Sequence, residues 1–163
     1  MRVFTSAEQL LASRGEEIGE GAPLLITQEM VDTFAHVTGD VQWIHCDPER
    51  AAASELGGTI AHGFMSLALI PSLDDEILEV RGFRRALNYG LNRVRFISPI
   101  RVGSTITLRT RISDVQSKEA GTLVTFGHEI WSSFEERTAQ AVLAEHLTLF
   151  VWSGDQSPES GSN

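Results

Sequence analysis

Apolar and polar residues follow two different rhythms along the chain, helical over its first half and strand-like over its second. Met30, Val31, Phe34 and Val37 recur at the spacing of one helix face, behind Thr27 as cap and ahead of Gly39 as stop, so the pattern predicts a helix over 28–38. Upstream, Thr5 or Ser6 caps a short helix running to about Ser13, with Leu10 and Leu11 as its apolar contacts. Glu16 to Ala22 is acidic and Gly-rich and reads as a loop, and Leu24-Leu25-Ile26 as a short strand. Asp47-Pro48-Glu49 places an acceptor at the cap and Pro at the first helical position, starting a helix through Glu55 that Gly57-Gly58 stops. Gly63 to about Leu73 is apolar nearly all round, which predicts a helix held inside the protein and ended or kinked by Pro71.

From about residue 84 the period becomes two. Ala86 to Tyr89 and Asn92 to Ile97 read as strands interrupted at Gly90. Ile106, Leu108, Thr110 and Ile112 alternate with Thr107, Arg109, Arg111 and Ser113, a half-buried strand over 105–115. Ser117 to Gly121 turns into a strand from Leu123 to Phe134, and Glu135-Glu136-Arg137 into another from Thr138 to Trp152. Helices followed by hairpin-connected strands predict an α+β fold, with an antiparallel sheet curled around one apolar helix. A single domain is expected over 1–152, with a polar, disordered tail over 153–163.

Composition narrows the function classes. The length of 163 residues suits one domain, and 42% hydrophobic and 21% charged residues suit a globular protein. A net charge of −9 argues against a general nucleic-acid binder, which needs a basic face to displace counterions. No apolar run reaches the ~18 residues of a membrane span and the N-terminus lacks a secretory apolar stretch, so a cytoplasmic location is expected. One cysteine, Cys46, permits neither an intrachain disulfide nor a thiolate cage.

The chemistry concentrates between Phe34 and Ser66. Asp40 and His45 stand five apart, with Gly39 before them and Val41, Trp43 and Ile44 between, so they do not share a helix face; an extended overhang would bring them together from two directions. A carboxylate and an imidazole together can take a proton from water and return one to carbon. The plain alternative is an Asp that closes a turn and a core His with satisfied nitrogens. Gly63 offers a backbone N–H at a helix start, suited to an oxyanion. His36 is expected on a helix surface and His62 in a supporting role, while His128 and His146 have no nameable partner. No ligand spacing for a metal appears, and Cys46 beside His45 in an extended segment would point away from it. Arg93 and Arg95, two apart, would share a strand face and with Arg101 are candidates to meet phosphates.

Phe34, Thr38-Gly39-Asp40, Ile44-His45 and Ile60-Ala61-His62-Gly63 resemble, at matching spacing, the signature of MaoC-like R-specific enoyl-CoA hydratases. Gln42-Trp43 stands where most members carry Asn-Pro. Asp-x-Gln-Trp-Ile-His and the later Asn88-Tyr89-Gly90-Leu91-Asn92 are similar to the NodN-like branch. The resemblance covers roughly 25–150 and implies a hotdog domain, an Asp40–His45 dyad, Gly63 as oxyanion donor, Ser66 near the dyad and Gln42 orienting the water or Asp40. It implies a homodimer that hydrates trans-2-enoyl-CoA to (R)-3-hydroxyacyl-CoA, with coenzyme A entering only as part of the substrate and no other cofactor. The rivals are an acyl-CoA thioesterase and a non-catalytic acyl-binding or partner subunit.

Overall fold

The alternation of the second half builds four long strands: β5 (Phe83–Phe96), β6 (Thr105–Lys118), β7 (Gly121–Phe134) and β8 (Arg137–Trp152). They come from a computed structural model in which residues 1–152 are described; the expected disordered tail lies outside the described residues. Two-residue turns at Glu119-Ala120 and Glu135-Glu136 join β6 to β7 and β7 to β8 in antiparallel register. Together with β2 (Glu17–Glu20) and β3 (Leu24–Leu25), they form one antiparallel sheet in the order β2-β6-β7-β8-β5, with β3 also on β6. Ile106, Leu108, Thr110 and Ile112 are all buried, and Arg109 and Arg111 are exposed, as the alternation requires.

Three segments depart from expectation. Glu17–Glu20 is a strand, not a loop: it supplies the hydrogen-bonding partner that the far edge of β6 needs, and Glu20 accepts from Arg109 Nε at 2.7 Å. β1 (Arg2–Phe4) pairs in parallel with β4 (Leu78–Val80), two three-residue strands too short to show a period. β5 is one strand through Gly90, the interruption surviving only as register shifts between Asn88 and Gly90 and between Leu91 and Arg93.

The helices lie against the sheet's inner face. α1 (Ala7–Ala12) is capped by Ser6, and α2 (Gln28–Thr38) by Thr27, whose side chain accepts from the Met30 amide. α4 (Pro48–Ala52) starts on Asp47, which accepts from the Arg50 amide, and is shorter than expected. The apolar run divides at Leu69 into α5 (Gly63–Ala68) and α6 (Ile70–Asp74), with Pro71 in the first turn of α6 where its missing N–H costs little. Met65, Ile70 and Leu73 are buried with Ile106, Leu108, Ile130 and Val142 in the main core. The run is not wrapped on all sides: the curled sheet covers one side, and Phe64 is 73% exposed on the other. A second core, from Phe4 and Leu10 to Val124, Phe126 and Phe150, closes the far end.

Candidate active site

Gly39 ends α2 in the left-handed conformation, φ 77°, with its amide donating to the Ala35 carbonyl. That turn throws Asp40 clear of the helix axis. The chain then forms a helical turn, α3 (Trp43–Cys46), instead of the extended overhang, with His45 buried on its inner side. A helical turn brings position 45 back toward position 40, so the compact loop juxtaposes the pair. Gln28, which no sequence signal marked, fastens this turn. Its Nε2 donates to the His45 carbonyl at 2.7 Å, and its Oε1 accepts from the Thr59 hydroxyl.

The imidazole of His45 has one assignable tautomer. Nδ1 lies 2.7 Å from the Ile60 carbonyl, which can only accept, so Nδ1 carries the proton and Nε2 is left as the ring's free acceptor. His62 stacks on this ring, with centroids 3.8 Å apart and planes 25° from parallel. Its Nε2 donates to the backbone carbonyl of Asp40 at 2.9 Å, leaving Nδ1 buried with no partner. His62 therefore touches both members of the dyad, in keeping with the supporting role expected of it.

One ligand-type atom each from Asp40, His45 and His62 lies within 4.8 Å of the others. The rings stack near-parallel, and each already spends one nitrogen on a backbone carbonyl, His45 Nδ1 on Ile60 and His62 Nε2 on Asp40. The arrangement suits handling protons on a small molecule. A cavity of about 250 Å³ holds that space, lined by Phe34, Thr38, Asp40, His45, His62 and Gly63. Gln42 Nε2 donates to Asp40 Oδ1 at 3.3 Å and so orients the carboxylate.

Gly63 opens α5 beside this cavity. An added Cβ would meet the Phe96 ring at 3.0 Å, so only glycine leaves room for both that ring and an approach to its backbone N–H. Ser66 is buried one turn on, its hydroxyl donating to the His62 carbonyl at 3.4 Å, and it lines an adjoining cavity of about 290 Å³ with His45, Gly63 and Phe96.

The remaining candidates lie elsewhere. Val94 packs on the core and Phe96 against Gly63, so by strand alternation Arg93 and Arg95 face away and are not brought to the pocket. Arg101 does not join them; its guanidinium donates to the Gly57 carbonyl and lies 4.5 Å over the Phe134 ring, holding the Gly57-Gly58 turn. His36 is exposed on α2. Cys46 follows His45 on a helical turn, not an extended one. Partial burial, then the carboxylates of Asp32 and Asp40, push its thiol up, away from the thiolate a nucleophile needs. Both strand histidines have partners after all: His128 Nδ1 sits 3.2 Å from Thr110 Oγ1, and His146 Nε2 3.0 Å from Asn88 Oδ1.

Residues 10–132, from α1 through the dyad to most of β7, match the family model described as MaoC like domain. The chain belongs to the MaoC-like dehydratase family. Among MaoC-like relatives, it is 50% identical over 123 residues to the 3-hydroxyacyl-thioester dehydratase Z of Mycobacterium tuberculosis, spanning 76% of this chain and 82% of that protein. It is 37% identical over 147 residues to the Nodulation protein N of Rhizobium leguminosarum, spanning 89% and 91%. The solved monoamine oxidase regulatory protein of Archaeoglobus fulgidus superposes with a TM-score of 0.76 at 27% identity, covering 93% of this chain and 97% of that one. The curled sheet with α5 and α6 on its inner face is the hotdog fold of these MaoC-like proteins. No helix among the described residues is long and apolar enough to cross a membrane.

Proposed function

We propose that this MaoC-like protein is an R-specific enoyl-CoA hydratase, working reversibly as a dehydratase. The observation that carries the reading is the single tautomer of His45: a free Nε2 faces the same small cavity as the Asp40 carboxylate. The Asp40 carboxylate and the free Nε2 are both acceptors, so one water can donate a hydrogen to each and turn its oxygen toward C3 of a trans-2-enoyl thioester. The pair takes a proton as the C3–O bond forms, and returns a proton at C2 as the enolate collapses. Acid–base assistance of this kind contributes about 10² to 10⁴ in rate. The enolate oxygen forms next to Gly63, whose backbone N–H supplies a fixed donor there. Water held on one face of the alkene gives one product configuration.

The proposed functional unit is a homodimer. β5 is the long edge strand of the sheet and almost wholly exposed, with Leu87, Tyr89 and Leu91 at 44%, 63% and 49% exposure. A fourteen-residue strand edge that exposes Leu87, Tyr89 and Leu91 at its middle is an aggregation hazard if left unpaired, and a second β5 laid antiparallel would cover it. Hydration products carried into an assay with an R-specific 3-hydroxyacyl-CoA dehydrogenase test the reading. Full oxidation supports it; products oxidised only by the S-specific enzyme, or release of free thiol, overturn it.

A further inference from the structure

A second set of polar side chains lies along the same helical run, away from the dyad. His128 Nδ1–H donates to Thr110 Oγ1 at 3.2 Å, and the Thr110 hydroxyl donates to Asp74 Oδ1 at 2.6 Å, so two donors in series end on one carboxylate. Across from it, His146 Nε2 donates to Asn88 Oδ1 at 3.0 Å, which leaves the Asn88 amide hydrogens and His146 Nδ1 free. Asp74, Asn88 and His146 line one cavity of about 430 Å³. That cavity shares Ile70, Pro71, Asn88 and His146 with a second of about 390 Å³, which reaches Phe64. Phe64 also bounds the dyad pocket. The cavities lie in series beside α5 and α6, with Phe64 between the dyad pocket and the second, Asn88 and His146 where the two larger ones meet, and Asp74 in the last. From Gly63 to Asp74 the series spans roughly 16 Å at the helical rise.

Resting on the hydratase reading, we infer that these cavities take the acyl chain of the substrate, and that Asp74 and Asn88 select chains carrying a hydroxyl at the distal end. Both groups line the cavity of about 430 Å³, so a hydroxyl entering it has a carboxylate to donate to and an amide to accept from. A terminal methyl would strip water from both groups and satisfy neither, and sites built to bond a hydroxyl reject its deoxy analogue strongly. A second route for a plain chain exists, the cleft of about 410 Å³ between α2 and α5 lined by Met30, Phe34, Val37 and Met65. It offers no polar end to match.

The test compares ω-hydroxy-trans-2-dodecenoyl-CoA with trans-2-dodecenoyl-CoA on the full chain, with crotonyl-CoA alongside. The expected result is kcat/KM higher for the hydroxylated chain by roughly tenfold or more, falling to parity in Asn88→Leu and in Asp74→Leu. Asn88 is exposed on an edge strand, so that variant tests the inference even if loss of Asp74 impairs folding. Parity or a preference for the plain chain in the wild type, with crotonyl-CoA turned over, would overturn the inference and leave the hydratase reading standing. Calorimetry with the two matching (R)-3-hydroxyacyl-CoA products gives a readout free of turnover. Equal affinities sink the inference by themselves, whereas a tighter hydroxylated ligand without hydration of any thioester would sink the hydratase reading instead.

Discussion

Replacing Asp74 with Asn is expected to stabilise the fold at neutral and alkaline pH. Burial, partly offset by the hydrogen bond from Thr110 and reinforced by the neighbouring Asp75 charge, pushes the Asp74 carboxyl up from 3.8 to about 6. An acid whose native pKa is raised favours folding while protonated and opposes it once ionised. Well below pH 3.8 the carboxyl is largely protonated in both states and its effect is absent. Between about pH 4 and 6 the unfolded chain ionises first, and above pH 6 the native state carries the full penalty. At 1.36 kcal/mol per pKa unit, that penalty is about 3 kcal/mol. Asn keeps an oxygen to accept from Thr110 and removes only the charge. Urea unfolding at fixed protein concentration, with the lowest pH about one unit below 3.8 and the highest about two units above 6, should show little difference between Asp74→Asn and wild type at the lowest pH and a gain of up to about 3 kcal/mol at the highest. A variant less stable at pH 8, or a difference that does not change with pH, would refute the reasoning. Retention of the Asp despite this cost fits a group kept for recognition.

Three further outcomes follow from the geometry. Gly63→Ala forces a methyl to 3.0 Å from the Phe96 ring and should lower kcat by at least tenfold, with Phe96→Ala restoring part of it; an unchanged kcat would separate Gly63 from the oxyanion. His62→Phe keeps a ring against His45 but loses the donor to the Asp40 carbonyl, whereas His62→Ala loses both. Steady-state kinetics should show kcat reduced roughly tenfold in the first and further in the second, with KM nearly constant; equal effects would deny the stack a role. Leu87→Lys combined with Tyr89→Lys puts charge on the open edge of β5 and should convert a dimer to monomers by light scattering; a persistent dimer would place the interface elsewhere.

How much of this was legible in the sequence depended on the range of the interaction that decides each feature. Period-two alternation fixed the burial of Ile106, Leu108, Thr110 and Ile112, and the caps at Thr27 and Asp47 are local to a few residues, so both showed plainly. Glu17–Glu20 was hidden because its strand character comes from a partner some ninety residues away, Arg109 and its neighbours on β6. The dyad was visible as residue types but not as geometry. What joins Asp40 to His45 is the α3 turn, fastened by Gln28 and Thr59, and the stack of His62 on His45, all contacts across separate elements. Arg93, Arg95 and Arg101 looked like one basic set from spacing alone. The parity of β5 turned the first two outward, and the Gly57 carbonyl engaged the third.

The central claim is that Asp40 and His45 add water to an enoyl thioester, and the decay of the conjugated enoyl absorbance of crotonyl-CoA tests it most directly. Wild type, Asp40→Asn and His45→Gln are run together, with a thiol reagent in a parallel channel. The account predicts loss of the chromophore without thiol release in the wild type, reduced by at least ~10² in each variant. Release of thiol, or turnover that survives both substitutions, would contradict it.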